Sequence, residues 1–552
     1  MQAPNKTTRL ETMDMEVHPL DQDVPPTQKG TVLDDHDMQR MGKIQELKPK
    51  LGHAPLIEPL NSHIPQTAKY ATGGCLEFCF DFTGNVGVHF DLTVHWTGFR
   101  SNDQGLENGG LPGMFWSYIW TFIGFGFIIA SLSEMASMAP TSGGQYHWVS
   151  EFSSPRHQKF LSYITGWMSV LAWQAGAASG SFLTGTIIQG LISVRNPAYE
   201  PENWQGTLFV FAMVLVIYIA NVYASDLMPI LSNLLMILHV LSWAVVLIVL
   251  WAMAPHQSAK AVFVSGWQNG GGWSSMGLSV MIGQISAIYG SLSSDACAHM
   301  SEEVKDAGRY VPVAIAWGYF SNGIMAAILL VTFLFSLPSV EDALNDNTGF
   351  PFIYAFKNAT SMAGVNGLTS IILLPVIFSN ILFNASTSRQ TFAFARDKGL
   401  PFSRFISKVD PKRHIPVNAI ALSCIFSCAL SLINIGSETA FNAIISLNVA
   451  ALMYTYIISI SCVIYKKIWN PDSLPARQWD MGRWGLAVNI IALIYSCFAL
   501  FWSLWPSESS ITVDNFNWSI VIFGGVFLLS LFMYAVKGRK EYDGPAVIVQ
   551  HG

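Results

Sequence analysis

Apolar stretches long enough to cross a membrane recur from Leu111 to Val536. A run of about 20 apolar residues matches the hydrocarbon thickness of a bilayer. By that measure the runs lie at 111–138, 160–192, 207–224, 227–253, 277–300, 311–337, 365–384, 416–434, 439–464, 484–505 and 518–536, which predicts eleven spanning helices. The short Ser225-Asp226 joint predicts a tight turn, with Pro229 in the first turn of the following helix. The run at 277–300 is interrupted, for its middle reads Tyr289-Gly290-Ser291-Leu292-Ser293-Ser294-Asp295. A Gly, three Ser and a carboxylate are costly against lipid, so the backbone is expected to open there and face a polar cavity.

Residues 1–67 are polar, Pro-containing and without periodicity, and are expected to be a disordered cytosolic tail. The chain then divides into an anomalous stretch at 68–110, a transmembrane domain at 111–536 and a short tail at 537–552. Of its 552 residues 51% are apolar and 12% charged, against about 25% charged in soluble domains. That balance excludes an ordinary soluble core and predicts an all-α polytopic membrane protein. The last five of seven Cys lie in apolar segments and behave as small hydrophobes. Cysteine spacing suggests neither a disulfide framework nor a zinc site, and no cofactor is implied. The first thirty residues lack an apolar h-region, so no cleavable signal peptide is expected.

Charge sets the orientation. Eighteen of the thirty Lys and Arg fall on the side reached after the first run, three on the other, and nine precede Leu111. The positive-inside rule makes the first side, and the C-terminus, cytosolic. Asn358-Ala-Thr and Asn517-Trp-Ser, glycosylation-type triplets, then fall outside. The basic N-terminal tail also reads as cytosolic, so one more crossing is required between about Tyr70 and Asn102. That stretch carries Glu77, Asp81, Asp91, His89 and His95, and does not read as a span.

Four strings carry a family resemblance. Gly105-Leu-Glu-Asn-Gly-Gly precedes the first run, and Ser133-Glu-Met-Ala-Ser-Met-Ala-Pro-Thr-Ser-Gly-Gly-Gln-Tyr-His-Trp148 ends it. Asp295-Ala-Cys-Ala-His-Met-Ser-Glu-Glu-Val-Lys-Asp306 closes the interrupted run, with Val311-Pro312 opening the next, and Ala395-Arg-Asp-Lys-Gly-Leu-Pro401 follows later. Over about Gly105 to Lys540 the chain resembles fungal permeases of the amino acid–polyamine–organocation superfamily, the branch carrying 4-aminobutyrate, choline and other amino compounds. The resemblance implies a LeuT-like fold of twelve helices. The first ten form two inverted five-helix repeats, with helices 1 and 6 unwound at mid-membrane. On that count 277–300 is helix 6, and helix 1 is degenerate or missing. An abrupt end of the likeness near Gln104, beside an intact motif, is what a shifted reading frame or misjoined exon would give.

The candidate substrate-binding residues are Tyr289, Gly290, Ser291, Ser293, Ser294 and Asp295, with Trp173 and Gln174 in helix 3. The resemblance makes Tyr289 an aromatic cover and Gly290 to Ser294 an unwound backbone offering carbonyls and amides. Asp295 is expected to open the inner half-helix, whose dipole favours a carboxylate, and to take up a proton or pair with a cation. The plainer reading of the Gly/Ser run is close helix packing; of Trp173 and Gln174, a packed ring and an interhelical amide bond. Asn380, Asn384, Asn442, Asn448 and His239 read as interior hydrogen-bonding groups. His299-x-x-Glu302-Glu303 lacks a second His for a metal. Glu134, the Ser142-Gly-Gly-Gln145 loop, Arg396, Asp397 and Lys398 are expected to face the cytosol, where the resemblance implies an inner gate or structural ion pairs; surface pairs of this kind are individually weak.

The sequence therefore predicts a non-enzymatic, multi-pass secondary transporter, most simply of the plasma membrane. It would import an amino acid, 4-aminobutyrate, choline or a polyamine by alternating access with a proton, and would involve no nucleic acid. The alternatives are a nutrient receptor that binds without flux, or an inactive product of a damaged or misannotated gene.

Overall fold

The computed structural model describes residues 103–196, 198–304, 306–436, 440–513, 515–542 and 544–545. The questioned crossing at 70–102 and both tail assignments, except for 537–542 and 544–545, lie outside the described residues. Among the described residues the regular structure is entirely helical. Ten helices are long and apolar enough to cross a membrane, and Met276–Tyr289 is a shorter apolar segment. These eleven segments correspond in order to the eleven apolar runs.

The helices used below are α1 (Gly110–Met138), α2 (Gln145–Phe152), α3 (Gln158–Arg195), α4 (Asn203–Tyr223) and α5 (Met228–Met253). The interrupted run becomes α6 (Met276–Gly283), α7 (Ile285–Tyr289) and α8 (Ala296–His299). There follow α9 (Ala307–Phe335), α10 (Met362–Arg396), α11 (Val417–Ser431), α12 (Ala440–Trp469), α13 (Gly485–Ser503) and α14 (Ser519–Met533). The end of the molecule at which α1, α4, α8, α10, α12 and α14 finish carries most of the Lys and Arg and is called the basic end.

Helix α3 is the central post, packing on α2, α4, α10, α11, α12 and α14. Its run Gln174-Ala-Gly-Ala-Ala-Ser-Gly-Ser lets neighbours approach closely, as small residues do in membrane helices. A Cβ at Gly176 would lie 2.7 Å from the Phe383 ring, and one at Gly180 the same distance from Asn380 Oδ1. The outer helices turn large apolar side chains outward, among them Ile230, Ile237 and Ile248 on α5 and Leu528 and Phe532 on α14. These faces suit lipid, where exposed apolar area is no penalty.

The Gly105-Leu-Glu-Asn-Gly-Gly string lies against the outer half of the interrupted segment. The Gly105 N–H donates to Ser286 Oγ at 3.1 Å, and Ser279 Oγ donates to the Asn108 carbonyl at 3.2 Å.

Candidate functional site

The break in the interrupted segment spans residues 290–295. It covers the stretch expected to unwind, Gly290 to Ser294, and its left-handed position is not the glycine. Gly290 has φ −64°, and a Cβ there would meet nothing closer than 3.4 Å. The left-handed residue is Ser293, at φ 75°. The turn is fixed by what flanks it: Leu292 is buried, and Asp295 is held by two distant side chains.

Asp295 is fully buried. One carboxylate oxygen accepts from the Tyr456 hydroxyl of α12 at 2.8 Å, and the other accepts from the Gln145 side-chain amide of α2. Asp295 stands at the N-cap position of α8, yet its side chain makes no capping bond, and α8 is a single turn. Direct hydrogen bonds, not a helix dipole, are therefore what hold this carboxylate.

Tyr289 packs under the surface with its hydroxyl 2.8 Å from Ser179 Oγ, and Ser179 donates to the Gly176 carbonyl at 2.7 Å. This ties α7 to the small-residue stretch of α3. Ser291 Oγ donates back to the Ala287 carbonyl at 3.0 Å, prolonging the turn after α7. Ser294 is buried beside Asp295.

Trp173 and Gln174 diverge, as adjacent helical residues must. The Trp173 ring lies edge-on to His299 at 4.7 Å between centroids and 5.0 Å from Phe383. Its buried indole N–H has no hydrogen-bond partner among the described residues, which leaves a polar donor beside the inner half-helix. Gln174 instead donates to Thr391 Oγ1 at 3.0 Å and Ser423 Oγ at 2.9 Å, joining α3 to α10 and α11. The structure brings Trp173 to α8 and gives both Gln174 donors to the helix scaffold. Asn448 donates to the Ala172 carbonyl at 2.8 Å and Asn380 to Ser181 at 3.1 Å, as interior groups.

Three glutamates at the basic end form ion pairs with their carboxylates buried, unlike exposed pairs nearby such as Lys537–Glu541. Glu302 binds Arg396 in two-pronged fashion at 2.9 and 2.9 Å, and Glu303 binds Arg389 at 2.7 Å. Glu134 meets Lys467 at 2.5 Å and Arg477 at 3.3 Å. Four of these side chains are at most 4% exposed. They join the ends of α1, the broken segment, α10 and α12. Glu302, Glu303 and His299 are thereby engaged with Arg396, Arg389 and the Ser142 carbonyl.

Sequence reasoning singled out Asp295 and set the Gln145 loop at the cytosolic gate, but did not foresee that Gln145 and Tyr456 bond to Asp295 or that Ser179 meets Tyr289. Gln145 belongs to a recognisable string, but Tyr456 has no local signal in its apolar helix.

The comparisons with known proteins agree with this architecture. The sequence model of the amino acid permease family matches residues 93–527. A Macrophomina phaseolina sequence named as an amino acid/polyamine transporter is 28% identical over 439 residues, 79% of this chain and 96% of that one. The choline transporter of Saccharomyces cerevisiae is 27% identical over 491 residues, 88% of this chain and 86% of that one. Among solved structures, a manganese transporter of Eremococcus coleocola superposes with a TM-score of 0.53 at 13% identity, covering 87% of this chain and 97% of that one. At that identity the likeness speaks for the fold alone.

Proposed function

Because this chain belongs to the amino acid permease family, multi-pass membrane transporters of amino compounds with the LeuT-like fold, we propose that it imports a small amino compound together with a proton by alternating access. The observation that carries this reading is the buried carboxylate at the break: Asp295, with one oxygen bonded to Gln145 and the other to Tyr456. An ionisable group at such depth is a functional position by default. Both bonding partners are neutral, which suits a group that gains and loses a proton. An ammonium substrate would have to displace one of them to pair with it.

The choline and amino acid/polyamine relatives support an amino compound, with amino acids, 4-aminobutyrate, choline and polyamines as the classes to screen. The substrate would lie beside the unwound 290–295 backbone, with Tyr289 on one side and the open Trp173 N–H on another. The surplus of Lys and Arg at the basic end supports a cytosolic C-terminus, and the imported class of solute suits the plasma membrane.

The test is uptake of labelled amino compounds by a permease-deficient yeast expressing the full chain. Uptake is expected to fall as external pH rises, and Asp295→Asn to abolish that dependence. Unchanged pH dependence and affinity in Asp295→Asn would overturn the proton role. Saturable binding with no flux would replace transport by a receptor function.

A further inference from the structure

The inner half of the broken segment carries three polar side chains on one face, Asp295, His299 and Glu302, spaced i, i+4 and i+7 through α8 and the following turn. All three reach the same short stretch, the Ser142-Gly-Gly-Gln145 loop between α1 and α2. Asp295 accepts from the Gln145 amide. His299 Nδ1 lies 2.9 Å from the Ser142 carbonyl, so that nitrogen carries the hydrogen and donates. Glu302 accepts the Ser142 backbone N–H at 3.2 Å. The fit is close: Gly144 has φ +54°, and a Cβ there would stand 2.7 Å from His299 Cε1. The loop is also braced internally, by Gly144 N–H to the Thr141 carbonyl at 3.0 Å and Trp148 Nε1 to the Ala139 carbonyl at 2.8 Å.

Of the three grips, that of Gln145 is made to the carboxylate at the break. The bond from Gln145 is at full strength only while Asp295 is ionised, since an amide N–H bond to a charged acceptor is stronger than one to a neutral acid. We propose that the 142–145 loop moves as one piece with the inner half-helix, and that Gln145 is the positioning residue through which the charge on Asp295 tightens or loosens that attachment. This rests on Asp295 being the proton site. The other titratable and charged groups of the surrounding elements include Tyr456, Lys466 and Lys467 on α12, Glu134 on α1, Tyr146, His147 and Glu151 on α2, His299, Glu302 and Glu303 on the same segment, and Arg389 and Arg396 on α10 with Asp397 beyond it.

The experiment is the pH profile of uptake in Gln145→Met and Gln145→Glu, normalised to protein at the cell surface. A carboxylate that loses an N–H donor, or gains a carboxyl neighbour, holds its proton to higher pH. Losing a bond to a charged group, about 1.5–3 kcal/mol, corresponds to about one pH unit or more. Both variants are therefore expected to move the pH midpoint of uptake upward by at least about one unit, Gln145→Glu further than Gln145→Met. A loop that merely packs would lower the maximal rate and leave the midpoint in place, and that result overturns the proposal. If Gln145→Glu fails to reach the membrane, Gln145→Met, close in size and uncharged, gives the same reading. A wild-type profile flat in pH, or one that Asp295→Asn leaves intact, removes the proton reading itself; an Asp295-dependent profile that neither Gln145 variant shifts removes only the coupling through the loop.

Discussion

Ser293 holds a left-handed backbone conformation that costs a residue other than glycine about 1–2 kcal/mol. It persists because both neighbours are fixed, Leu292 by burial and Asp295 through its bonds to Gln145 and Tyr456. A β-branched side chain tolerates this conformation worst. Ser293→Val is therefore expected to destabilise the protein by about 1–3 kcal/mol, read as a lower thermal midpoint in detergent, while Ser293→Gly keeps the wild-type midpoint or raises it. Equal midpoints for Val and Gly would show that the pivot lies elsewhere. At this scale Asp295 was legible because an acid in an apolar run stands out whatever surrounds it. The left-handed position was not: Gly290 to Ser294 were expected to unwind as a stretch, and which of them takes a positive φ is set by contacts on either side. Gln145 and Tyr456 were hidden for a related reason, being 150 and 161 residues away in sequence.

Between elements the strongest polar links are the buried ion pairs that tie the turn after α8 to the end of α10. Removing one partner of such a pair strands the other charge without water, typically at about 3–5 kcal/mol. Glu302→Gln is expected to destabilise by that order, since Arg396 loses its two-pronged acceptor. Adding Arg396→Leu removes the stranded guanidinium, so the double variant is expected to recover much of the loss. Thermal unfolding across the four-member cycle measures the coupling, and strictly additive losses would show that the two side chains act independently. The strings around Glu302 and Arg396 were visible in the sequence, but not their pairing or burial. Charged residues at helix ends read alike whether they meet water or a neighbouring helix. The apolar runs were more legible, since bilayer thickness alone fixes their length; α10 nevertheless extends to Arg396, beyond the run expected to end at 384, because its last turns are polar and buried among α3, α8 and α11.

At the scale of the molecule, the central place of α3 is seen only in the structure, but the order of the eleven segments followed from the lengths of the apolar runs and the LeuT-like fold from the family resemblance, so the fold was largely readable. What lies beyond the last span was not. After α14 the helix continues through a π-type stretch at Tyr534–Gly538 to Glu541, and Tyr542, next in the chain, is fully buried at the basic end. Its hydroxyl lies 2.6 Å from Ser162 Oγ, and its ring meets Tyr163 at 5.2 Å and Phe394 at 5.9 Å. Gly538 permits close packing of this stretch on α3, for a Cβ there would lie 2.8 Å from the Tyr163 ring. Burial first, and then the nearby Asp397 carboxylate, push the Tyr542 phenol well above its ordinary range. The docked form is accordingly the neutral phenol, and docking is insensitive to pH through the physiological range. Phe394 also packs on Tyr146, whose hydroxyl donates to Asp397 at 3.0 Å, so the tail anchor meets the ion-pair end of α10 directly and the loop-bearing α2 through Phe394. Truncating a buried aromatic to Ala costs about 3–5 kcal/mol, but here the loss falls on a terminal segment that can open alone. Tyr542→Ala is therefore expected to leave global thermal unfolding nearly unchanged while trypsin cleavage at Lys537, Arg539 and Lys540 rises by about two orders of magnitude or more, at tenfold per 1.4 kcal/mol. Tyr542→Phe, which keeps the ring and loses only the Ser162 bond, should raise cleavage by roughly the tenfold that about 1 kcal/mol allows. Wild-type cleavage rates in both variants would mean that the ring contributes nothing to holding the tail.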